Sequence, residues 1–192
     1  MQFSEILEKR RTVRLYQQKK VEKEKIIAIL NSARLSSCAM NKQILRYAAV
    51  NEKSLLKKIF DGTMWGAMVR PHRTPVWGET SPDWFIVVHG PQEKDAVFAK
   101  LDVGAAVMSM ELQACDLGLG CCWLGSFKND EVKDLLKLGN DRTVYAVVAV
   151  GYPAEEPKYE NISLNDNQSY YLDDKNQLTV PKYAVDEISE FF

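Results

Sequence analysis

Residues 95–117 read DAVFAKLDVGAAVMSMELQACDL, and the fold turns on how this stretch is taken. Val103, Gly104, Ala105, Ala106, Val107, Met108, Met110, Leu112, Ala114 and Cys115 make it apolar nearly all round, so Asp95 to Leu117 is expected to be a central, buried helix. Its small residues Gly104, Ala105, Ala106 and Ser109 let another helix approach closely, within the chain or across a dimer. Gly118 stands where a helix C-cap belongs.

Toward the C-terminus, Cys121 to Leu124 reads as a strand. Asn129 then caps a helix over Asp130 to Leu138, which Gly139 ends. Val144 to Val150 is a further strand, closed by Gly151-Tyr-Pro153, and the tail from Glu155 is polar until Leu178-Thr-Val-Pro-Lys182 and an amphipathic helix over Val185 to Phe192. Toward the N-terminus, Trp84 to Val88 is a continuous apolar run suited to a strand buried on both faces. Asp61 to Asp83, punctuated by Gly62, Gly66, Pro71, Pro75, Gly78 and Pro82, is expected to be irregular and exposed, as loops over sites often are. Ser54 to Phe60 reads as a helix and Tyr47 to Val50 as a short strand. Glu22 to Arg34 is a helix with a stripe of Ile26, Ile27, Leu30 and Ala33, and Phe3 to Lys9 is a short opening helix. Helices and strands mix without a regular βαβαβ alternation, which favours an α+β class over a doubly wound sheet.

The 192 residues suit one domain, because a chain of this length buries roughly 70% of the surface its unfolded form exposes. A formal charge of −1 removes the electrostatic case for nucleic acid, whose binders carry a basic stripe. The longest apolar runs have strand length, far short of the roughly 20 residues of a membrane helix. The opening residues hold acidic side chains and no apolar leader, so a cytoplasmic protein is expected. Cys38, Cys115, Cys121 and Cys122 lack metal-ligand spacing with His72 or His89, and Cys121 and Cys122 would face opposite ways in a strand. Cys115, Cys121 and Cys122 read as buried small apolar side chains, Cys38 is set apart by its loop, and no metal is expected.

Arg10-Arg-Thr-Val-Arg14 places three guanidiniums and a hydroxyl within five residues, either as a solvated face or as a phosphate site with bidentate donors. Gly118, Gly120 and Gly125 follow a helix and open a strand, the reverse of a dinucleotide fingerprint; Gly125 instead suits a turn whose backbone meets a flat ligand. Asn41 and Gln43 lie in a small-residue loop, where Asn41 either satisfies local backbone groups or reaches outward. No His stands beside an obvious nucleophile and acid, and no side chain is assigned a catalytic role.

Taken together, these segments resemble the nitroreductase family of flavin mononucleotide enzymes. Arg10-Arg-Thr-Val-Arg14 is similar to the family's R-R-S-x-R, and Leu35-Ser-Ser-Cys-Ala-Met-Asn-Lys-Gln43 to its A-P-S-x-x-N-x-Q loop. Asp102 to Ala106, Ala114 to Gly120 and Trp123 to Phe127 resemble its central helix and following strand. Val147 to Pro153 resembles the closing strand, and Lys182 to Ile188 its R-K-x-x-E-E-V ending. Ile44-Leu45 replaces a frequent Pro-Trp, and Ser37-Cys38 replaces Pro-Ser; Asp61 to Asp83 matches none of the family's motifs.

The resemblance implies a single FMN-binding domain over residues 1–192. Its fold would be a central, mostly antiparallel sheet flanked by helices, with the buried central helix forming much of a homodimer interface. It implies that Arg10, Arg11 and Thr12 hold the flavin phosphate and ribityl chain, with Lys182 reaching the phosphate and Arg14 near the pyrimidine end of the isoalloxazine. Trp123, Leu124, Gly125 and Ser126 would lie along the ring, a backbone N–H directed at N5. Ser37, Cys38, Ala39 and Asn41 would come from the second subunit. The implied activity is that of an oxidoreductase passing hydride from NAD(P)H through the flavin, ping-pong, to an electron-poor acceptor such as a nitroaromatic or quinone. Two other readings stand beside it: another flavin reaction on the same scaffold, reductive dehalogenation or flavin destruction, using the Asp61–Asp83 loop, and a non-catalytic flavin store or sensor.

Overall fold

The computed structural model describes residues 1–92 and 97–192. Its main sheet has four strands: β1 (Arg46–Val50), β2 (Trp84–Pro91), β3 (Gly120–Leu124) and β4 (Arg142–Gly151), ordered β1-β2-β4-β3 and antiparallel throughout. The helices are α1 (Phe3–Lys9), α2 (Lys23–Leu35), α3 (Lys53–Asp61), α4 (Ala99–Asp116), α5 (Asn129–Leu135) and the single turn α6 (Val185–Ile188). A second, three-stranded sheet is built from the tail, where β5 (Lys158–Ile162) runs parallel to β7 (Leu178–Tyr183) and β6 (Tyr171–Leu172) runs antiparallel to it.

Both faces of the main sheet are covered, which explains the unbroken apolar runs of β2 and β4. Trp84, Ile86 and Val88 join Ile26, Ile29, Val103, Val107 and Cys121 in the core under α2 and α4. Phe85 and Val87, pointing the other way, join Leu56, Ile59, Val132, Cys122 and Leu124 in the core under α3 and α5. Cys121 and Cys122 thus face opposite sides, as the two-residue period of a strand requires.

Helix α4 ends in a Schellman motif: Gly118, at φ 75°, donates its N–H to Cys115, and Leu119 N–H reaches Ala114 O at 2.8 Å. The expected start at Asp95 lies outside the described residues. The helix is not buried all round, because Leu101 is 71% and Met108 43% exposed, while Val103, Val107 and Met110 face the sheet.

Other expectations are corrected. Helix α2 buries Ile26, Ile29 and Ala33, leaving Ile27 exposed, because the face it turns to α4 lies one position round from the expected stripe. Asn129 does not cap α5; it is the first helical residue, and its Nδ2 donates to Val144 O at 2.7 Å across to β4. That helix stops at Leu135, and the C-terminal one keeps only four residues, having no buried face to hold it. The segment 61–83 is irregular, with one 3₁₀ turn over Ala67–Val69, but it is not simply exposed. Trp65, 3% exposed, packs its ring 5.8 Å from Phe60 and 6.4 Å from Phe85, so the segment closes one end of the core.

Candidate functional site

The Arg10–Arg14 segment follows α1 and lies along the free edge of β3. Thr12 bridges Cys121 in parallel, with Val13 N–H donating to Cys121 O at 2.9 Å. Two glycines that face each other across β3 and β4, Gly120 and Gly151, make this approach possible. A Cβ on Gly120 would stand 2.7 Å from the Val13 side chain, and one on Gly151 would stand 2.7 Å from the Tyr16 ring. Tyr16 is fully buried and donates its hydroxyl to Val13 O at 2.6 Å, so the segment is pinned from both sides.

Each arginine has a distinct environment. Arg10 Nη1 meets Glu111 Oε2 at 3.1 Å, and burial pushes the Glu111 carboxyl above its ordinary range despite that guanidinium. Arg11 lies over the Tyr159 ring, 4.6 Å from its centroid, and donates to Leu7 O and Arg10 O; burial, then Arg10, lowers its pKa. Arg14 lies 5.0 Å from the centroid of Tyr170, with its stem against Gly66, where a φ of 39° would strain any side chain and a Cβ would crowd Arg14 at 3.1 Å. The Arg14 and Leu15 backbone N–H groups both donate to Glu155 Oε1, at 2.5 and 3.1 Å. The Nε atoms of Arg11 and Arg14 are buried without an acceptor.

A cleft of about 710 Å³ opens beside this segment, walled by Arg10, Arg11, Glu111, Cys115, Gly120 and Tyr159. Its size is that of a small-molecule site. Arg11 lines this cleft, and its buried guanidinium nitrogen without an acceptor suits an anionic ligand, since buried polar groups are almost always paired. Lys9, Arg10 and Lys158 add positive charge to a wall that also holds Glu5, Glu8, Glu155 and Glu156, while Thr12 and Arg14 lie outside it. The residues present therefore fit a phosphate-bearing cofactor. The three buried cysteines offer no competing nucleophile: burial raises the Cys115 thiol, pushes Cys122 up to about 12, and raises Cys121 well above its ordinary value.

The parallel bridge of Thr12 to Cys121 carries Arg14 in the direction of Trp123 to Ser126. Trp123 is exposed and Leu124 buried, while a Cβ on Gly125 would meet nothing within 4 Å, so that backbone is open to a flat group. Ser126 O accepts from Met64 N–H at 3.0 Å, tying the turn to the segment beside Gly66.

The loop bearing Ser37, Cys38, Ala39 and Asn41 is held elsewhere. Ala39 N–H donates to the buried Asp102 carboxylate at 2.8 Å, near the start of α4, whereas Arg10 meets Glu111 nine residues later. At 1.5 Å per residue the two anchor points are about 14 Å apart along the helix, so one chain does not bring these two groups together. Met40, Asn41 and Gln43 all have positive φ, an unusual concentration for non-glycine residues. Asn41 accepts at Oδ1 from Gln43 Nε2, and Gln43 N–H reaches Cys38 Sγ at 3.4 Å. Lys182 sits exposed on β7 opposite Asn161 and is not among the residues lining the cleft.

Glu111, Glu155, Tyr159 and Tyr170 were not singled out by sequence. Glu111 carries a legible signal, an acid flanked by apolar residues in the middle of α4; the other three give none.

The model of the nitroreductase family matches residues 7–74 and 77–152. A curated Archaeoglobus fulgidus protein named "Putative NADH dehydrogenase/NAD(P)H nitroreductase" is 28% identical over 156 residues, 78% of this chain and 84% of that protein. A crystal structure from Parabacteroides distasonis, of the same name, shares the fold with a TM-score of 0.73 at 23% identity, over 99% of this chain and 98% of that one. The structure of an FMN-dependent nitroreductase from Clostridium difficile aligns with a TM-score of 0.67 at 25% identity, over 84% of this chain and 98% of that one. With the family model spanning both halves of the main sheet and the arginine segment docked on its edge, the chain belongs to the nitroreductase family.

Proposed function

We propose that this protein is an FMN-dependent NAD(P)H oxidoreductase of residues 1–192, working as a homodimer in the cytoplasm on an electron-poor acceptor such as a nitroaromatic or quinone. The family match over residues 7–74 and 77–152 carries this reading, and the FMN dependence of the Clostridium difficile protein supports the cofactor. Bound FMN supplies hydride transfer at N5, accepting from NAD(P)H and giving to the acceptor in turn.

The chain's own task is then binding, orientation and electrostatics. Arg10, Arg11 and Thr12 hold the phosphate and ribityl chain, with Lys182 as a further cation. Arg14 stands by the pyrimidine end, where a positive charge favours the anionic reduced flavin. Trp123, Leu124, Gly125 and Ser126 flank the ring and offer a backbone N–H toward N5. Ser37, Cys38, Ala39 and Asn41 serve the partner's site. The separation of that loop from Arg10 along α4 supports a shared site, as does the exposed stripe of Phe98, Leu101 and Met108, which offers an apolar surface to a second copy.

Within segment 61–83, Arg73 is committed to Glu155 and Arg70 donates to Trp65 O at 2.7 Å, which favours hydride transfer over a reaction that recruits a clamp from this loop. The visible spectrum before and after each nicotinamide tests the proposal. Yellow protein that NADH or NADPH bleaches supports it; yellow protein that neither reduces makes it a flavin store; colourless protein without FMN affinity refutes it. Flavin content should fall on dilution to monomer, and a monomer that keeps FMN would exclude the shared site.

A further inference from the structure

The family model ends at residue 152, and the tail sheet lies beyond it. Two tail tyrosines nonetheless lie against the two arginines whose buried Nε atoms lack acceptors: Tyr159, on β5, on Arg11, and Tyr170, just before β6, on Arg14. The tail is fastened to the body elsewhere too: Tyr170 Oη accepts from Met68 N–H at 3.4 Å, and Arg73 Nη2 donates to Asn176 O at 2.5 Å.

A guanidinium is planar. Its N–H donors point outward in the plane, while an aromatic ring occupies its face, so stacking and anion binding do not compete for the same surface. A stacked arginine has already lost much of its rotamer freedom, and less is lost when its edge then engages a phosphate or a flavin edge. The arrangement of Tyr159 and Tyr170 fits this use: each guanidinium carbon lies over a tyrosine ring, at 4.6 and 5.0 Å from the centroid, and each arginine keeps a buried Nε without an acceptor. We propose that the tail completes the flavin site within its own chain, with Tyr159 and Tyr170 as positioning residues that fix the planes of Arg11 and Arg14. The inference rests on the FMN reading above.

The test is FMN binding to the full-length protein, followed by flavin fluorescence, in Tyr159→Leu, Tyr170→Leu and the double variant. Leucine keeps apolar bulk under the tail and removes the π face. Tyr159→Phe and Tyr170→Phe keep the ring. Each Leu variant should raise Kd about two- to fivefold and the double variant about tenfold, while each Phe variant stays within about twofold of wild type. Tyr170→Leu should also shift the midpoint potential of the bound flavin to more negative values, because Arg14 is less firmly held beside the reduced ring. A purely structural tail would leave that potential unmoved. Wild-type Kd and potential in the double Leu variant would overturn the inference, as would Phe variants as weak as the Leu ones. Wild-type protein that takes up no FMN overturns the flavin reading itself; wild-type protein that binds FMN no better than the double Leu variant overturns only the role of the tyrosines.

Discussion

Arg73 and Glu155 form a buried ion pair, Nε to Oε2 at 2.9 Å, in which the acid also accepts the backbone N–H groups of Arg14 and Leu15. One carboxylate thus joins the 61–83 segment, the arginine segment and the start of the tail. Glu155→Ala leaves a buried guanidinium and two backbone donors unpaired, and should cost about 3–5 kcal/mol in thermal or denaturant unfolding. A cost under about 1 kcal/mol would show that the junction does not hold the segments together.

Arg10→Ala should weaken FMN binding by roughly 1.5–3 kcal/mol, the range for a hydrogen bond to a charged group. Unchanged flavin content after dialysis would remove Arg10 from the phosphate site.

Glu111→Gln probes the same arginine from its other side. The neutral amide still accepts from Arg10 without the cost of burying a charge, so folding at neutral pH should be unchanged or gain slightly. The guanidinium keeps its full charge for the ligand, and FMN affinity should rise. Because burial raises the Glu111 carboxyl in the folded state, its contribution favours folding at acid pH and is lost as pH climbs past the ordinary glutamate range. The pH dependence of unfolding above about pH 4.5 should flatten in the variant.

His89, at a bulge in β2, has its pKa lowered first by burial and then by Arg142 and Arg46, and its Nδ1 is buried without a partner. The unfolded chain therefore binds this proton more readily than the folded one. Stability is full above about pH 6.5 and declines as pH falls below it. His89→Gln should remove that decline from melting curves taken between about pH 5 and 7; an unaltered decline assigns it to other groups.

Gly120→Ala should destabilise by about 1–3 kcal/mol through overpacking against Val13, and Gly151→Ala similarly against Tyr16. Gly120→Ala should cost less in a Val13→Ala background than in the wild type, and calorimetry of the two single variants and the double variant decides whether this contact is the cause.

The two-residue and 3.6-residue periods made most of the main sheet and its helices legible. Trp84 to Val88 was placed from an unbroken apolar run, and the opposite facing of Cys121 and Cys122 followed from strand geometry. The tail sheet was not legible, because β5 is a polar strand, KYENI, paired in parallel with a strand some twenty residues later, so no local alternation announces it. The Pro and Gly of segment 61–83 correctly signalled irregular backbone, but irregular backbone is not the same as exposure, and Trp65 turns the segment inward. In the sequence, Gly120 marks only a helix stop and strand start. Its close approach to Val13, more than a hundred residues away, appears only in three dimensions. Charge and resemblance mark out Arg10 to Arg14, whereas the carboxylates and rings that orient them come from parts of the chain with no such pattern.

Because Thr12 and Val13 run along β3, they cover the rim at which the four-stranded sheet would otherwise offer unpaired N–H and C=O groups to another molecule. The same few residues thus serve recognition and solubility. A chain whose arginine segment has come loose would lose its grip on a ligand and, in the same event, bare a hydrophobic strand end of the kind that seeds aggregation. Selection against clumping would then guard the geometry of the ligand site.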